Sequence, residues 1–320
     1  MKTLIIGVGA FGFAMLNHIS KKNKDDTIYA YERNDFVSGY LKNFRKHPYF
    51  FEGVKLPENI EFLDEVNDII PSIDLLILSL PCQTVLPFLK EVKEDLKPGV
   101  TILNLAKGIN NTTLNTIGDD LKDLLKGVSY NYTCLSGGMI ASDVVNGNII
   151  GATIGVESEV LGESLKEYFE TPIFKVALYT GRVKNIELAG ALKNVFAIFS
   201  GYHEGLGMGS SSIGYFFCEY YTEYKRLFTL LGGNNDIKFN RYAIGGDLIA
   251  TCFGNSRNRY LGRLLGEGKN LEEVLETMKN EKKIAEGYET LKGLYKIIEG
   301  KPEFPITNEL GKKILYPNEK

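Results

Sequence analysis

Through the first 180 residues, short apolar runs alternate with segments whose apolar residues recur at helical spacing. The runs fall at residues 2–6, 27–31, 59–63, 74–80, 100–105, 130–135, 149–156 and 172–178. Continuous apolar runs of this length, separated by amphipathic helices, read as buried strands of a parallel sheet. Beyond Arg182 the strand pattern stops and helical periodicity continues to the C-terminus. The pattern therefore predicts two domains, an α/β domain over 1–181 and an all-α domain over 182–320. A chain of 320 residues is also long for one core.

The first strand runs into Gly7, Val8, Gly9, Ala10, Phe11 and Gly12, and a helical segment follows. A G-x-G-x-x-G pattern between a strand and a helix marks a dinucleotide-binding turn. Gly7 permits the turn, Gly9 lets a pyrophosphate reach the backbone, and Gly12 lets helix and strand pack closely. The helix start then offers N–H groups and a partial positive charge to phosphate. The first domain is thus expected to be a Rossmann-type parallel sheet. About twenty residues further on stand Glu32 and Arg33. Glu32 would accept from a ribose 2′-OH and Arg33 would neutralise a 2′-phosphate. Both NAD and NADP stay open, with the spacing of Glu32 favouring NAD. Pro81 closes the run at 74–80, and Lys107 follows the run at 100–105. Strand ends in such sheets face the ligand, so both residues are expected beside the cofactor.

Two polar clusters interrupt the apolar second half. Asn185, Glu187, Lys193 and Asn194 sit in NIELAGALKNVFAIFSGY, where apolar neighbours make Lys193 a buried acid–base candidate. Asp247 opens a helical run, and Asn255 to Arg259 (NSRNR) precede another helix, a pattern suited to phosphate.

Composition narrows the function classes. Net charge is −3, which gives no reason to expect nucleic-acid binding or membrane insertion. Cys82, Cys134, Cys218 and Cys252 form no CxxC pair, so reduced thiols in a cytoplasmic protein are expected. The three histidines are scattered and suggest no metal site. His18 reads as a packing residue of the first helix.

Taken together, GVGAFG, AKGI, ELAGALKNV, GGDL, NSRNR, LGEG and AEGY, in this order, resemble the prokaryotic-type NAD(P)-dependent sn-glycerol-3-phosphate dehydrogenases over almost the whole chain. The resemblance implies a Rossmann domain with a helical C-terminal substrate-binding domain, and interconversion of glycerol 3-phosphate and dihydroxyacetone phosphate. Lys193 matches the family's proton donor and acceptor. Lys107, Gly137, Asp247, Ser256, Arg257 and Asn258 match substrate contacts, Lys107 and Asp247 also standing among the catalytic residues. Ala10, Phe11, Lys107, Ala141, Arg257 and Glu286 match cofactor contacts, with phenylalanine at position 11 where the family usually carries tryptophan. One stretch departs: SGGMIA replaces S-G-P-[ST]-F-A, so Met139 is expected where a hydroxyl reaches the substrate. That departure keeps a second phosphorylated polyol or ketone open as substrate, and a non-catalytic nucleotide-binding protein is the more distant alternative. A phosphorylated small molecule is the expected partner, and a homodimer is left open.

Overall fold

Residues 1–234, 237–281 and 285–317 are described by the computed structural model of the chain. It divides into two compact units, residues 1–106 with 117–186, and residues 107–116 with 187–320.

The first unit is built on eight strands: β1 (Thr3–Ile6), β2 (Ile28–Tyr31), β3 (Ile60–Leu63), β4 (Leu75–Leu78), β5 (Val100–Asn104), β6 (Tyr130–Gly137), β7 (Ile150–Val156) and β8 (Phe174–Thr180). They form one sheet in the order β3-β2-β1-β4-β5-β6-β7-β8. β1 lies between β2 and β4, with Thr3 opposite both Ile28 and Leu75. The strand order reverses there, and this is where such sheets place ligands. Leu4, Ile5, Ile28, Leu75, Leu76, Ile77 and Leu78 are fully buried, as strands covered on both faces must be.

All neighbouring strands run parallel except β6 and β7, which are antiparallel. The Rossmann-type parallel sheet expected from sequence is thus present, with one antiparallel pair added. The only helix in that connection, α5 (Ala141–Asn146), has six residues and spans about 9 Å. The eight residues of β6 extend about 26 Å. So short a helix cannot carry the chain back along the sheet, and β7 returns antiparallel instead.

The other helices of this unit are α1 (Ala10–Lys22), α2 (Asp35–Phe44), α3 (Cys82–Val92), α4 (Ile117–Leu124) and α6 (Glu159–Phe169). His18, on α1, stacks on Phe174 with ring centroids 4.2 Å apart, and its Nε2 lies 2.7 Å from the Phe169 carbonyl. It is the packing residue expected.

The second unit is helical: most of α7 (Val183–Gly205), then α8 (Ser210–Leu230), α9 (Asp247–Phe253), α10 (Arg257–Gly266), α11 (Leu271–Asn280), α12 (Glu286–Ile298) and α13 (Pro305–Leu315). Its core is aromatic and aliphatic, with Phe196, Phe199, Tyr224 and Phe228 fully buried. The units divide at Ile186 rather than at residue 181 because the first turn of α7 packs with the sheet. A Cβ at Gly155 on β7 would lie 3.0 Å from Ile186. Residues 107–116, which follow β5, also group with the helices, a placement that sequence order alone does not suggest. Among the described residues no helix is long and apolar enough to cross a membrane.

Candidate active site

In the first unit, the turn after β1 has the geometry its glycines require. Gly7 has φ +89°, and a Cβ there would lie 2.5 Å from the Ser79 carbonyl oxygen. A Cβ at Gly12 would lie 2.0 Å from the Gly7 carbonyl oxygen, so helix and turn could not both keep their places. Gly9 faces open space, with nothing within 4 Å of a Cβ position. Gly9 also stands at the N-cap of α1 without a side-chain cap, and Ala10, Phe11 and Gly12 form the first turn. The early N–H groups of a helix lack intrahelical acceptors, so this cradle suits the pyrophosphate of a dinucleotide.

Glu32 and Arg33 are both engaged within the chain. Glu32 accepts from the Val8 N–H at 2.8 Å and from the Asn34 N–H at 3.0 Å. It thereby braces the glycine turn, a task the sequence did not reveal. Arg33 makes two contacts with Glu91 on α3, at 3.0 and 3.1 Å, and both side chains are largely exposed. Pro81 is the N-cap of α3, and Ala141 opens α5. Gly137 ends β6, where a Cβ would lie 2.4 Å from the Gly151 carbonyl oxygen.

Met139 follows the end of β6. Its side chain is 5% exposed and belongs to the hydrophobic core of the first unit, with Leu135, Ala152 and Phe13. A thioether there offers no donor comparable to a hydroxyl.

In the second unit, one carboxylate gathers the two lysines. Lys193, midway along α7, donates from Nζ to Asp247 Oδ1 at 2.5 Å and to Thr251 Oγ1 at 2.8 Å. Lys107 donates to Asp247 Oδ2 at 2.9 Å. Asp247 and Thr251 are four residues apart on α9 and so share a face. Lys193 is 6% exposed and Asp247 1%. Burial pushes the Lys193 ammonium down to about 8, Asp247 pulls it back up, and the charge of Lys107 lowers it further. Desolvation is the largest of these causes, as apolar neighbours in the sequence suggest. Thr251 was missed in the sequence, although its spacing from Asp247 on a helix was a usable signal.

The NSRNR segment forms the start of α10. Ser256 is its N-cap and accepts from the Arg259 N–H at 3.4 Å. Asn258 is buried, and its Oδ1 accepts from the Gly287 N–H at 3.0 Å. Arg259 is bound to Glu204 and to the Gly254 carbonyl. Arg257, by contrast, is exposed, and among the described residues no carboxylate lies in ion-pair range of it. Glu286 opens α12; burial raises its carboxyl, while Arg257, Lys107 and Lys193 draw it down. Of the first polar cluster, Asn185 lies in the other unit and donates to Tyr179 Oη at 2.8 Å. Glu187 and Asn194 are buried in the second. Among the described residues no group of His, Cys, Asp and Glu is arranged to hold a metal.

A dinucleotide cradle on a Rossmann-type sheet, together with a buried lysine held by a shared aspartate, defines a nicotinamide-dependent dehydrogenase. Family models agree over nearly the whole chain. Residues 2–161 match the NAD-dependent glycerol-3-phosphate dehydrogenase N-terminus, and residues 183–320 match the corresponding C-terminus. Glycerol-3-phosphate dehydrogenases (NAD(P)+) of Nitratidesulfovibrio vulgaris strain Hildenborough and Geobacter metallireducens are similar. The first is 30% identical, covering 97% of this chain and 92% of that protein. The second is 31% identical, covering 98% and 92%. The fold is also that of the glycerol-3-phosphate dehydrogenase of Plasmodium falciparum, with TM-score 0.89 and 23% identity over 100% of this chain and 92% of that one. For the Coxiella burnetii enzyme the TM-score is 0.85, with 20% identity over 99% and 95%. The chain belongs to the NAD-dependent glycerol-3-phosphate dehydrogenase family.

Proposed function

We propose that this protein interconverts sn-glycerol 3-phosphate and dihydroxyacetone phosphate, with Lys193 as the proton-transferring residue. The observation that carries this reading is the pair of ammonium groups on one buried carboxylate, Lys193 and Lys107 on Asp247. Binding a nucleotide alone gives no reason to bury a lysine, whereas a lysine near pKa 8 suits acid–base chemistry at neutral pH. The open backbone at Gly9 and the start of α1 fit a nicotinamide dinucleotide, which when bound supplies or takes the hydride.

In the reducing direction the carbonyl carbon of dihydroxyacetone phosphate gains the hydride and its oxygen becomes an alkoxide. Lys193 Nζ gives that oxygen a proton, and Lys107 stabilises the developing negative charge. In oxidation, neutral Lys193 takes the hydroxyl proton back. Asp247 and Thr251 hold the Nζ atom in place. Arg257 binds the phosphate through its planar fork, assisted by the start of α10. Ser256 and Asn258, whose acceptor oxygens serve the helix framework, contribute through their remaining donors. Glu32 favours NAD, since its carboxylate repels a 2′-phosphate and keeps lone pairs free to accept from a 2′-OH.

Met139, where the family carries a hydroxyl, keeps another phosphorylated polyol or ketone as the second reading. The direct test is oxidation of NADH and NADPH by the purified protein, with dihydroxyacetone phosphate and with a panel of other phosphorylated ketones and aldehydes. Turnover with dihydroxyacetone phosphate exceeding that of the panel supports the reading. A better substrate elsewhere in the panel transfers the reading to that compound, and no turnover with any of them contradicts it.

A further inference from the structure

The second unit holds a cavity of about 880 Å³ with no assigned role, lined by the α10–α11 connection, the end of α12 and α13. That is the size of a small-molecule site. It combines three kinds of lining. Four lysines contribute, Lys269, Lys301, Lys312 and Lys313, against the single carboxylate of Glu309. Glu309 is already bound to Lys313 at 2.6 Å, and among the described residues no carboxylate pairs with the other three lysines. Tyr202, Tyr295 and Tyr316 add aromatic surface, the last two with ring centroids 5.8 Å apart. Asn308 adds an acceptor: its Nδ2 donates to the Lys301 carbonyl at 2.9 Å, while its Oδ1 is buried without a hydrogen-bond partner. Among the described residues none supplies the donor it needs.

We infer that this cavity binds a nucleoside phosphate, at a site separate from the dinucleotide cradle of the first unit. Lysine ammoniums bind phosphate as point charges. The tyrosines suit a planar base, and a ribose hydroxyl or base N–H provides the donor for Asn308. A bare carboxylate or a plain hydrocarbon satisfies only one of these features.

The cavity shares three helices with candidate site residues. α7 carries Lys193 and then Tyr202, α10 carries Arg257 and then Leu265, and α12 carries Glu286 and then Tyr295. α7 and α10 touch backbone to backbone. Cβ atoms at Gly201, Gly262 and Gly266 would lie about 2 Å from Arg259, Ile198 and Tyr202 carbonyl oxygens, at 2.0, 1.9 and 2.1 Å. Helices in such contact move together, so a ligand here is expected to alter the KM for dihydroxyacetone phosphate.

The test is equilibrium dialysis of ADP against the purified protein at saturating NADH, so that the glycine turn is already filled. Inorganic pyrophosphate and adenosine are run in parallel. Saturable binding of one ADP per chain is expected, tighter than either fragment. In Lys269→Glu with Lys312→Glu, ADP binding should weaken by about tenfold or more, because two attractive charges become repulsive. NADH affinity and basal turnover should stay unchanged. Absence of saturable ADP binding overturns the proposal, as does equal binding by the double variant. Pyrophosphate binding as tightly as ADP also overturns it, since that describes a basic patch rather than a nucleoside site. The KM measurement rests on the dehydrogenase reading above, whereas the dialysis does not. ADP binding with an unchanged KM contradicts the coupling through the helices.

Discussion

Lys193 and Asp247 lie 54 residues apart in sequence, and the Lys193 ammonium donates to the Asp247 carboxylate at 2.5 Å in a nearly solvent-free setting. The other Asp247 oxygen accepts from Lys107 at 2.9 Å. One negative charge thus serves two positive ones. The balance of burial, one anion and a second cation sets the protonation of Lys193.

The pH dependence follows with a definite sign. Reduction needs protonated Lys193, so kcat for dihydroxyacetone phosphate should fall as pH rises through about 8. Oxidation of glycerol 3-phosphate needs the neutral amine and should rise over the same range. Lys107→Met removes a charge that lowers the Lys193 pKa, so both limbs should move to higher pH. Profiles of the two proteins in both directions check this, and an unmoved limb in the variant would show that Lys107 does not act on Lys193.

Asp247→Asn leaves two ammonium groups without their counter-charge. Removing one partner of a buried pair costs about 3–5 kcal/mol. The variant should lose stability of that order at neutral pH and regain part of it in more alkaline solution, as Lys193 deprotonates. Urea unfolding at two pH values measures the difference.

Arg257 is the phosphate-binding candidate least occupied by the chain's own structure, which makes it the sharpest position to probe. Arg257→Lys should raise the KM for dihydroxyacetone phosphate by about tenfold, because lysine cannot form the planar two-point contact. The melting temperature should hardly change, since the residue is exposed. Unaltered kinetics would place the phosphate elsewhere.

Met139 in the SGGMIA stretch is buried in the hydrophobic core of the first unit. Met139→Ser replaces a buried side chain and should destabilise the first unit by about 2 kcal/mol or more. It should not lower the KM. Thermal unfolding and steady-state kinetics on the same preparation separate the two effects.

The cofactor lean has its own test. The Arg33–Glu91 pair is exposed, so water screens it and it can open. Glu91→Gln should free Arg33 and tighten NADPH more than NADH. Direct titration of the wild type should show NADH bound at least as tightly as NADPH; the opposite order would assign the ribose edge to Arg33.

Much of this architecture is legible along the chain because it is written in local pattern. The apolar runs coincide with all eight strands to within a few residues, and the glycine turn names its own geometry at Gly7 and Gly12. Lys193 stands out because its sequence neighbours are apolar. What local pattern cannot carry is direction and facing. The reversal at β7 depends on the shortness of α5, and the inward turn of Met139 on packing against residues distant in sequence. Glu32 reaches back 24 residues to Val8, and residues 107–116 join a unit whose other members begin 80 positions later. The double use of Ser256 and Asn258 as helix framework is likewise a tertiary fact, since Asn258 binds Gly287 across 29 residues.

The central claim is that Lys193 moves the proton when the carbonyl is reduced. Its most direct test is the kcat of Lys193→Met for dihydroxyacetone phosphate with NADH, beside the NADH affinity of the same variant. Loss of a general acid predicts a fall of ~100-fold or more with NADH affinity retained. A folded variant that turns over at a near wild-type rate would contradict the account.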